Sequence, residues 1–315
     1  MKNDTYFPLI FIVLLLIGAP FFFLGGPGYH ASRSYQSAWD LGHILYFLIL
    51  SCWLGGLLRR KNAERSLRSI FLLTLLIVFF VGFSVEVLQM SRSGRSPDLA
   101  DVLRNQLGCL AAFAFFTRPP PFTRQWQQGL LRGMVLILLA IAIWPVSRSL
   151  IDEHLARKQF PVLADFETPF ERYRWVNVQQ MRGERERVRH GEQAMRVQLS
   201  TAKYSGVSLF YFPGDWRGYQ TLHCSVYNPQ AASLVLNTRI HDALHKEQGS
   251  EFSDRFNQQF LLQQGWNDLV ISLEKVKNAP KGRAMEMQHI EGFGLFVVQQ
   301  ADPLEIYLDH VYLGK

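Results

Sequence analysis

Cysteine is scarce in this 315-residue chain: Cys52, Cys109 and Cys224 stand far apart, two of them inside apolar runs. Such usage excludes a disulfide framework and gives no metal-binding spacing. Glycine patterns that cradle phosphates are also missing. "LGG" at 24–26 and "GFG" at 292–294 are too short for a nucleotide loop, and no nucleophile elbow occurs. Acidic residues are sparse in the first half, where residues 1–150 hold 6 Asp/Glu against 14 Lys/Arg, while residues 151–315 hold 20 against 19. The surplus of +7 therefore sits in short loops between apolar runs. A nucleic-acid footprint needs a clustered basic face with aromatics, so nucleic acid is not an expected partner.

What the first half has in abundance is long hydrophobic runs. A helix needs roughly 20 apolar residues to cross about 30 Å of hydrocarbon. Residues 7–24, 41–58, 70–88, 99–116 and 130–147 approach that length, which predicts about five transmembrane helices in a domain covering 1–150. The first run is long and has only Lys2 offset by Asp4 before it, so an uncleaved helix is expected rather than a signal peptide. The loop "RRKNAERSLR" holds five basic residues, "TRPPPFTRQWQQGLLR" three, and Lys2 adds one, against Arg33, Arg92 and Arg95 on the opposite side. That bias predicts a cytoplasmic N-terminus. Residues 151–315 would then lie outside, which for a bacterial inner membrane is the periplasm.

Against this background "VEVLQMSRSGRSPDLADVLRNQLG" (85–108) is too polar for its place. Asp40 and His43 sit one turn apart at the expected outer end of the second helix, and Glu86 and Gln89 close the third. Asp98, Asp101, Asn105 and Gly108 follow a 3-4-3 spacing along one face of the fourth. Ionisable groups at such depth pair with one another or face a wet cavity. One reading is a salt-bridge knot of Arg95 or Arg104 with Asp98, Asp101 or Glu86. The other is a site for a polar headgroup or glycan in which Glu86, Asp101 and His43 are candidates for acid–base work.

The set Asp40, His43 and Tyr46, followed by Glu86, Gln89, Arg95, Ser96, Asp98, Asp101, Asn105 and Gly108, resembles the VanZ-like family over about residues 35–118. These are small multi-helix membrane proteins named after an accessory factor in glycopeptide resistance. Ala111 and Ala112 stand where a further small residue is usual. The resemblance implies a cell-envelope role and supplies no reaction.

The second half changes texture. "AMRVQLS", "GVSLFYF", "TLHCSVY", "SLVLNTRIH", "RFNQQFLL", "NDLVISL", "GFGLFVV" and "LEIYLDHVYL" are short alternating or apolar runs bounded by turn residues. They predict about eight strands and an all-β jelly-roll sandwich. "LADFETPFERYRW", "DWRGYQTLHCSVYNP", "FLLQQGWNDLVISL" and "IYLDHVYL" resemble the galactose-binding-like jelly rolls of carbohydrate-binding modules over about 160–315. The resemblance implies a sugar, a structural calcium or a protein partner as ligand, without choosing among them.

A sugar site needs an exposed aromatic beside polar groups. In "FYFPGDWRGY", Tyr211, Asp215, Trp216 and Tyr219 are the glycan-binding candidates, with core the competing place for Trp216; Trp266 is expected in the core. Asp165, Glu167 and Asp309 resemble the calcium positions of related modules. His241 and His245 in "HDALH" have helical metal spacing but fall at an expected strand and loop, so zinc is not expected there. "RGERERVRH" reads as a solvated hairpin or loop. Apart from the possible calcium, no cofactor is evident, and enzymatic activity is not the leading expectation.

Three functions compete: an envelope protein whose exported domain binds glycan or a partner protein; a membrane enzyme or transporter for a lipid-linked or cell-wall substrate; and an assembly factor with no small ligand.

Overall fold

The computed structural model describes residues 6–28, 31–90, 98–177 and 180–315. Two compact units divide it, Met1–Ser147 and Arg148–Lys315.

The first unit is helical. Helix α1 spans Tyr6–Gly18 and runs on as a short 3-10 turn, Ala19–Phe22; α2 spans Arg33–Lys61, α3 Leu67–Met90, α4 Leu99–Ala111 and α5 Gln125–Gln159. Pro20, which lacks an amide hydrogen, falls where the α-helical pattern of α1 gives way. A wider turn, Ala112–Phe116, extends α4. Four spans are long and apolar enough to cross a bilayer: Arg33–Lys61, Leu67–Gln89, Leu99–Phe116 and Gln125–Gln159. The chain is a multi-pass membrane protein. The first predicted span corresponds to a shorter apolar helix, and the fifth is the middle of a helix longer than its apolar run. Side chains such as Leu72, Phe80, Leu136 and Ile137 point outward, as a lipid-facing surface requires.

Helix ends are set by local chemistry. The Ser32 hydroxyl accepts from the Tyr35 amide at 3.3 Å and starts α2; the Asp98 carboxylate accepts from the Ala100 amide at 2.8 Å and starts α4. The packing of α2 on α4 depends on Gly108. A Cβ there would lie 2.4 Å from the Ile44 carbonyl oxygen and 2.9 Å from the Leu48 amide nitrogen, so only glycine lets these backbones approach so closely.

The second unit begins with the last turns of α5 and continues as an antiparallel two-sheet sandwich. Its strands are β1 (Val162–Ala164), β2 (Trp175–Val176), β3 (Met181–Glu184), β4 (Ala194–Leu199), β5 (Tyr204–Leu209), β6 (Thr221–Asn228), β7 (Leu234–Asp242), β8 (Phe256–Leu262), β9 (Gly265–Ser272), β10 (Ile290–Val298) and β11 (Leu304–Gly314). The first sheet is ordered β3-β4-β11-β6-β9, with β1 also on β11; the second is β2-β5-β10-β7-β8. All eight predicted strands are present. The two inner faces meet in a core that includes Val197, Leu222, Cys224, Val226 and Leu308 from the first sheet and Val207, Leu236, Ile240, Phe293 and Leu295 from the second. Alternation decides this: in β6, Leu222, Cys224 and Val226 point inward, leaving His223, Ser225 and Tyr227 for the outer face.

Candidate functional site

In the membrane unit, the close contact of α2 with α4 brings His43 against Asn105, which lies one turn before Gly108 on the same face of α4. His43 Nδ1 lies 3.0 Å from Asn105 Oδ1, and Asn105 is fully buried. The other ring nitrogen, Nε2, is 3.5 Å from Asp101 Oδ2, longer than a hydrogen bond of ordinary strength. Asp101 Oδ1 accepts from Arg104, which also faces Asp40 at 3.2 Å and Asp98 at 3.8 Å. Glu86 completes the group from α3. Its Oε2 accepts from the Asp98 amide at 3.2 Å, while its Oε1 is buried without a hydrogen-bond partner among the described residues.

One donor atom each from His43, Glu86 and Asp101 lies within 4.8 Å of the others, and no other trio of His, Cys, Asp or Glu does so among the described residues. The predicted knot is therefore partly present: Arg104 binds Asp98 and Asp101, with Asp40 as an additional partner, and among the described residues no ion pair reaches Glu86. Arg95 lies outside the described residues. Gln89 is turned elsewhere, donating to the Phe22 carbonyl at 2.8 Å, and the Phe22 ring stands edge-on to His43. Beside them opens an apolar groove of about 430 Å³, bounded by Leu14, Ile17, Phe21, Trp39 and Tyr46, with His43 and Gln89 as polar members.

The sandwich rearranges the expected glycan site. Trp216 is fully buried against Phe212 and cannot offer a face to a sugar. Tyr211 and Tyr219 are half-buried, and Tyr219 packs edge-on to Phe160. Asp215 is exposed and bound by Arg217 at 2.7 Å, which holds its carboxyl at about 2. Turn chemistry marked this segment correctly as a loop, but the loop folds its tryptophan into the core.

The aromatic comb lies instead on the outer face of the first sheet. Tyr307, Tyr227 and Trp266 are cross-strand partners on β11, β6 and β9, with ring centroids 5.7 and 5.4 Å apart. Arg187 sits over the tyrosines and donates to the Tyr307 hydroxyl at 3.0 Å. The next row is Asp309, Ser225 and Asp268, and beyond it His223 pairs with Tyr312. Ser225 donates to Asp268 at 2.8 Å and Arg189 binds Asp268 at 2.7 Å; hydrogen bonds from these two keep Asp268 below the usual carboxylate range. His190, His310, Tyr312 and His223 stack in series, with centroids 4.0, 4.3 and 4.6 Å apart. A pocket of about 270 Å³ opens among Arg189, His190, His223, Asp268 and His310. Trp266, expected in the core, is half-buried on this face. Strand parity carried the signal: Leu269 and Ile271 point inward, so Trp266 and Asp268 must point outward. The "RGERERVRH" run is more than a solvated loop, since Arg187 and Arg189 both close on this face.

Asp165, Glu167 and Asp309 are not gathered as metal ligands among the described residues. Glu167 Oε1 accepts from the Glu192 and Gln193 amides, and Asp309 Oδ2 from the Arg189 and His190 amides. Glu167 and Asp309 thus hold the 189–193 loop, while Asp165 Oδ1 accepts from the Glu167 amide at 3.3 Å. In "HDALH" the strand ends at Asp242 and a one-turn helix follows; His245 contacts Asp254 at 3.2 Å, and Arg283 ties Asp242 to Asp254.

Comparison with known families matches residues 9–119 to the VanZ/LLP1 model. Residues 9–119 of the membrane unit are a VanZ/LLP1 domain. A comparison with curated proteins gives no match. Among solved structures, the sandwich is similar to the family 11 carbohydrate-binding module from Clostridium thermocellum in complex with a β-1,3-1,4-mixed-linked tetrasaccharide. Identity is 12%, the match covers 49% of this chain and 94% of that one, and the TM-score is 0.36. It is also similar to a non-crystalline-cellulose-specific module, CBM28, at 10% identity over 50% of this chain and 93% of that one, TM-score 0.35. The VanZ/LLP1 match contains Asp40, His43, Glu86, Asp98, Asp101, Arg104, Asn105 and Gly108 of the membrane site.

Proposed function

We propose that this protein is a cell-envelope membrane protein whose VanZ/LLP1 domain anchors an exported, glycan-recognising sandwich. The observation that carries the reading is the outer face of the first sheet, where Tyr307, Tyr227 and Trp266 form a row directly beside Asp309, Ser225 and Asp268. Aromatic rings accept the apolar C–H faces of sugar rings, and the half-buried Tyr227 and Trp266 are the rings that reach solvent here, Tyr307 being buried under Arg187; in the next row the exposed Asp268 suits sugar hydroxyls, while Ser225 and Asp309 are buried behind it. Arg187 and Arg189 add donors at the rim.

The charge bias supports an exported sandwich. Arg59, Arg60, Lys61, Arg65 and Arg68 gather between α2 and α3, and Arg118 and Arg124 between α4 and α5, so that side is read as cytoplasmic. The end of α5 then leaves on the other side. This holds whether or not α1 crosses the bilayer, because it depends only on the loops after α2.

The test is a glycan array probed with the full-length chain in detergent, followed by titration of the best ligand. Trp266→Ala and Tyr227→Ala are each expected to weaken binding at least about tenfold, or about 1.4 kcal/mol. Silence across cell-wall and capsular sugars, or unchanged binding by both variants, contradicts the reading. A second reading, a membrane site for a lipid-linked polar substrate, is favoured by the apolar groove that meets His43. For that reading, Glu86→Gln and Asp101→Asn in inserted protein should abolish the cellular phenotype; wild-type behaviour in both sinks it.

A further inference from the structure

We infer that His43, Glu86 and Asp101 of the membrane unit bind a divalent transition-metal ion of the zinc class. The inference is independent of glycan binding by the sandwich and would stand if that reading fell.

Each of the three residues has one polar atom committed to a neighbour and a second directed into the group. His43 places Nδ1 3.0 Å from Asn105 Oδ1; with Asn105 accepting, Nδ1 carries the proton and Nε2 keeps its lone pair. Asp101 gives Oδ1 to Arg104 and turns Oδ2 toward His43 Nε2 at 3.5 Å. Glu86 gives Oε2 to the Asp98 amide and keeps Oε1 buried and without a partner among the described residues, at 4% exposure. A second polar neighbour holding each ligand in orientation is the usual arrangement around a protein-bound metal.

Distance and charge agree. With metal–ligand bonds of about 2.0–2.2 Å, a tetrahedral ion needs donor atoms roughly 3.3 Å apart. The His43–Asp101 pair is already at 3.5 Å, and all three donors lie within 4.8 Å, so a small rotation of the carboxylates closes the set. An acid buried with an unpaired oxygen is costly in a membrane helix bundle, and a cation removes that cost. Among the described residues Arg104 is directed to Asp40, Asp98 and Asp101 and forms no ion pair with Glu86. An imidazole donor selects zinc-like ions over magnesium or calcium, which prefer oxygen throughout. Three protein ligands would leave a fourth position open.

The experiment uses the full-length protein in detergent, stripped with chelator, then titrated with Zn²⁺ and separately Mn²⁺. Metal retained after gel filtration should approach one Zn²⁺ per chain. His43→Ala and Glu86→Gln should each weaken binding at least tenfold; Asn105→Ala should weaken it about 10–100-fold by releasing the ring. Asp215→Asn, an exposed carboxylate of the sandwich unit, should leave it within twofold. Zinc-edge X-ray absorption of the wild type should read one imidazole with oxygen donors, and this readout does not depend on any variant accumulating. No retained metal, sulfur donors indicating Cys52 or Cys109, or unchanged affinity in folded Glu86→Gln overturns the inference.

Discussion

In the sandwich unit, Arg174 and Asp152 are both essentially excluded from solvent, and the guanidinium is used throughout: Asp152 at 3.0–3.1 Å, the Leu163 carbonyl at 2.8 Å and Gln159 at 3.2 Å. In the membrane unit, Glu86 is almost as buried, yet one carboxylate oxygen has no hydrogen-bond partner among the described residues. The contrast separates charges that hold a fold from charges held ready for a ligand. A fully paired buried ion is costly to break, whereas an orphaned one contributes little to the fold that carries it.

The largest effect expected from that contrast is for Arg174→Met. It leaves Asp152 buried without its cation and should destabilise the sandwich by about 3–5 kcal/mol, read as a drop in its thermal unfolding midpoint. A drop equal to that of an exposed Arg217→Met control would place Arg174 among ordinary surface charges. Next is Gly108→Ala, whose methyl would meet the Ile44 backbone carbonyl; overpacking of this kind costs about 1–3 kcal/mol. It should lower the unfolding midpoint of the membrane unit in detergent while leaving the sandwich transition in place. Equal shifts in both would blur the division into units.

A smaller effect comes from pH. Burial, reinforced by the nearby His190 and His223, holds His310 below its ordinary value, so the folded sandwich favours the neutral ring. Below about pH 6.5 the unfolded chain binds more protons than the folded one, and stability should fall as pH drops from that value toward the folded pKa. His310→Asn should flatten the slope of midpoint against pH between about 7.5 and 5.5; Asn suits the positive φ of 45° found there. An unchanged slope would assign the pH response to other groups.

The same physical distinction explains what the sequence makes legible. Eight strands of six to eleven residues show their period, whereas β1, β2 and β3, at two to four residues, are too short to show one. The last turns of α5 carry Asp152, Glu153, His154, Arg157 and Lys158, and their polarity after an apolar run reads as an exit from the helix rather than its continuation. The membrane cluster is legible as spacing, because Asp101, Asn105 and Gly108 share one face of α4. Which oxygen of Glu86 is committed is not legible, since that depends on Asp98 arriving from another segment. Trp216, weighed between a sugar site and the core, lies in the core, and Trp266, expected in the core, lies on the outer face. Turn residues around Trp216 say that the chain bends, not which way the indole swings, while strand parity around Trp266 does fix its face.

The smallest change in stability is expected for Glu86→Gln, which replaces a buried carboxyl whose Oε1 has no hydrogen-bond partner among the described residues and should leave the apo midpoint equal to or above wild type. That variant also supplies the most direct test of the account. Thermal unfolding of the membrane unit is followed in wild type and Glu86→Gln, each with and without Zn²⁺. A ligand that binds only the folded state raises stability by RT ln(1 + [L]/Kd), about 2.7 kcal/mol at a hundredfold excess over Kd. The account predicts a zinc-dependent rise in wild type and none, or a much smaller one, in Glu86→Gln. Equal rises in both proteins, or no rise in either, would contradict it.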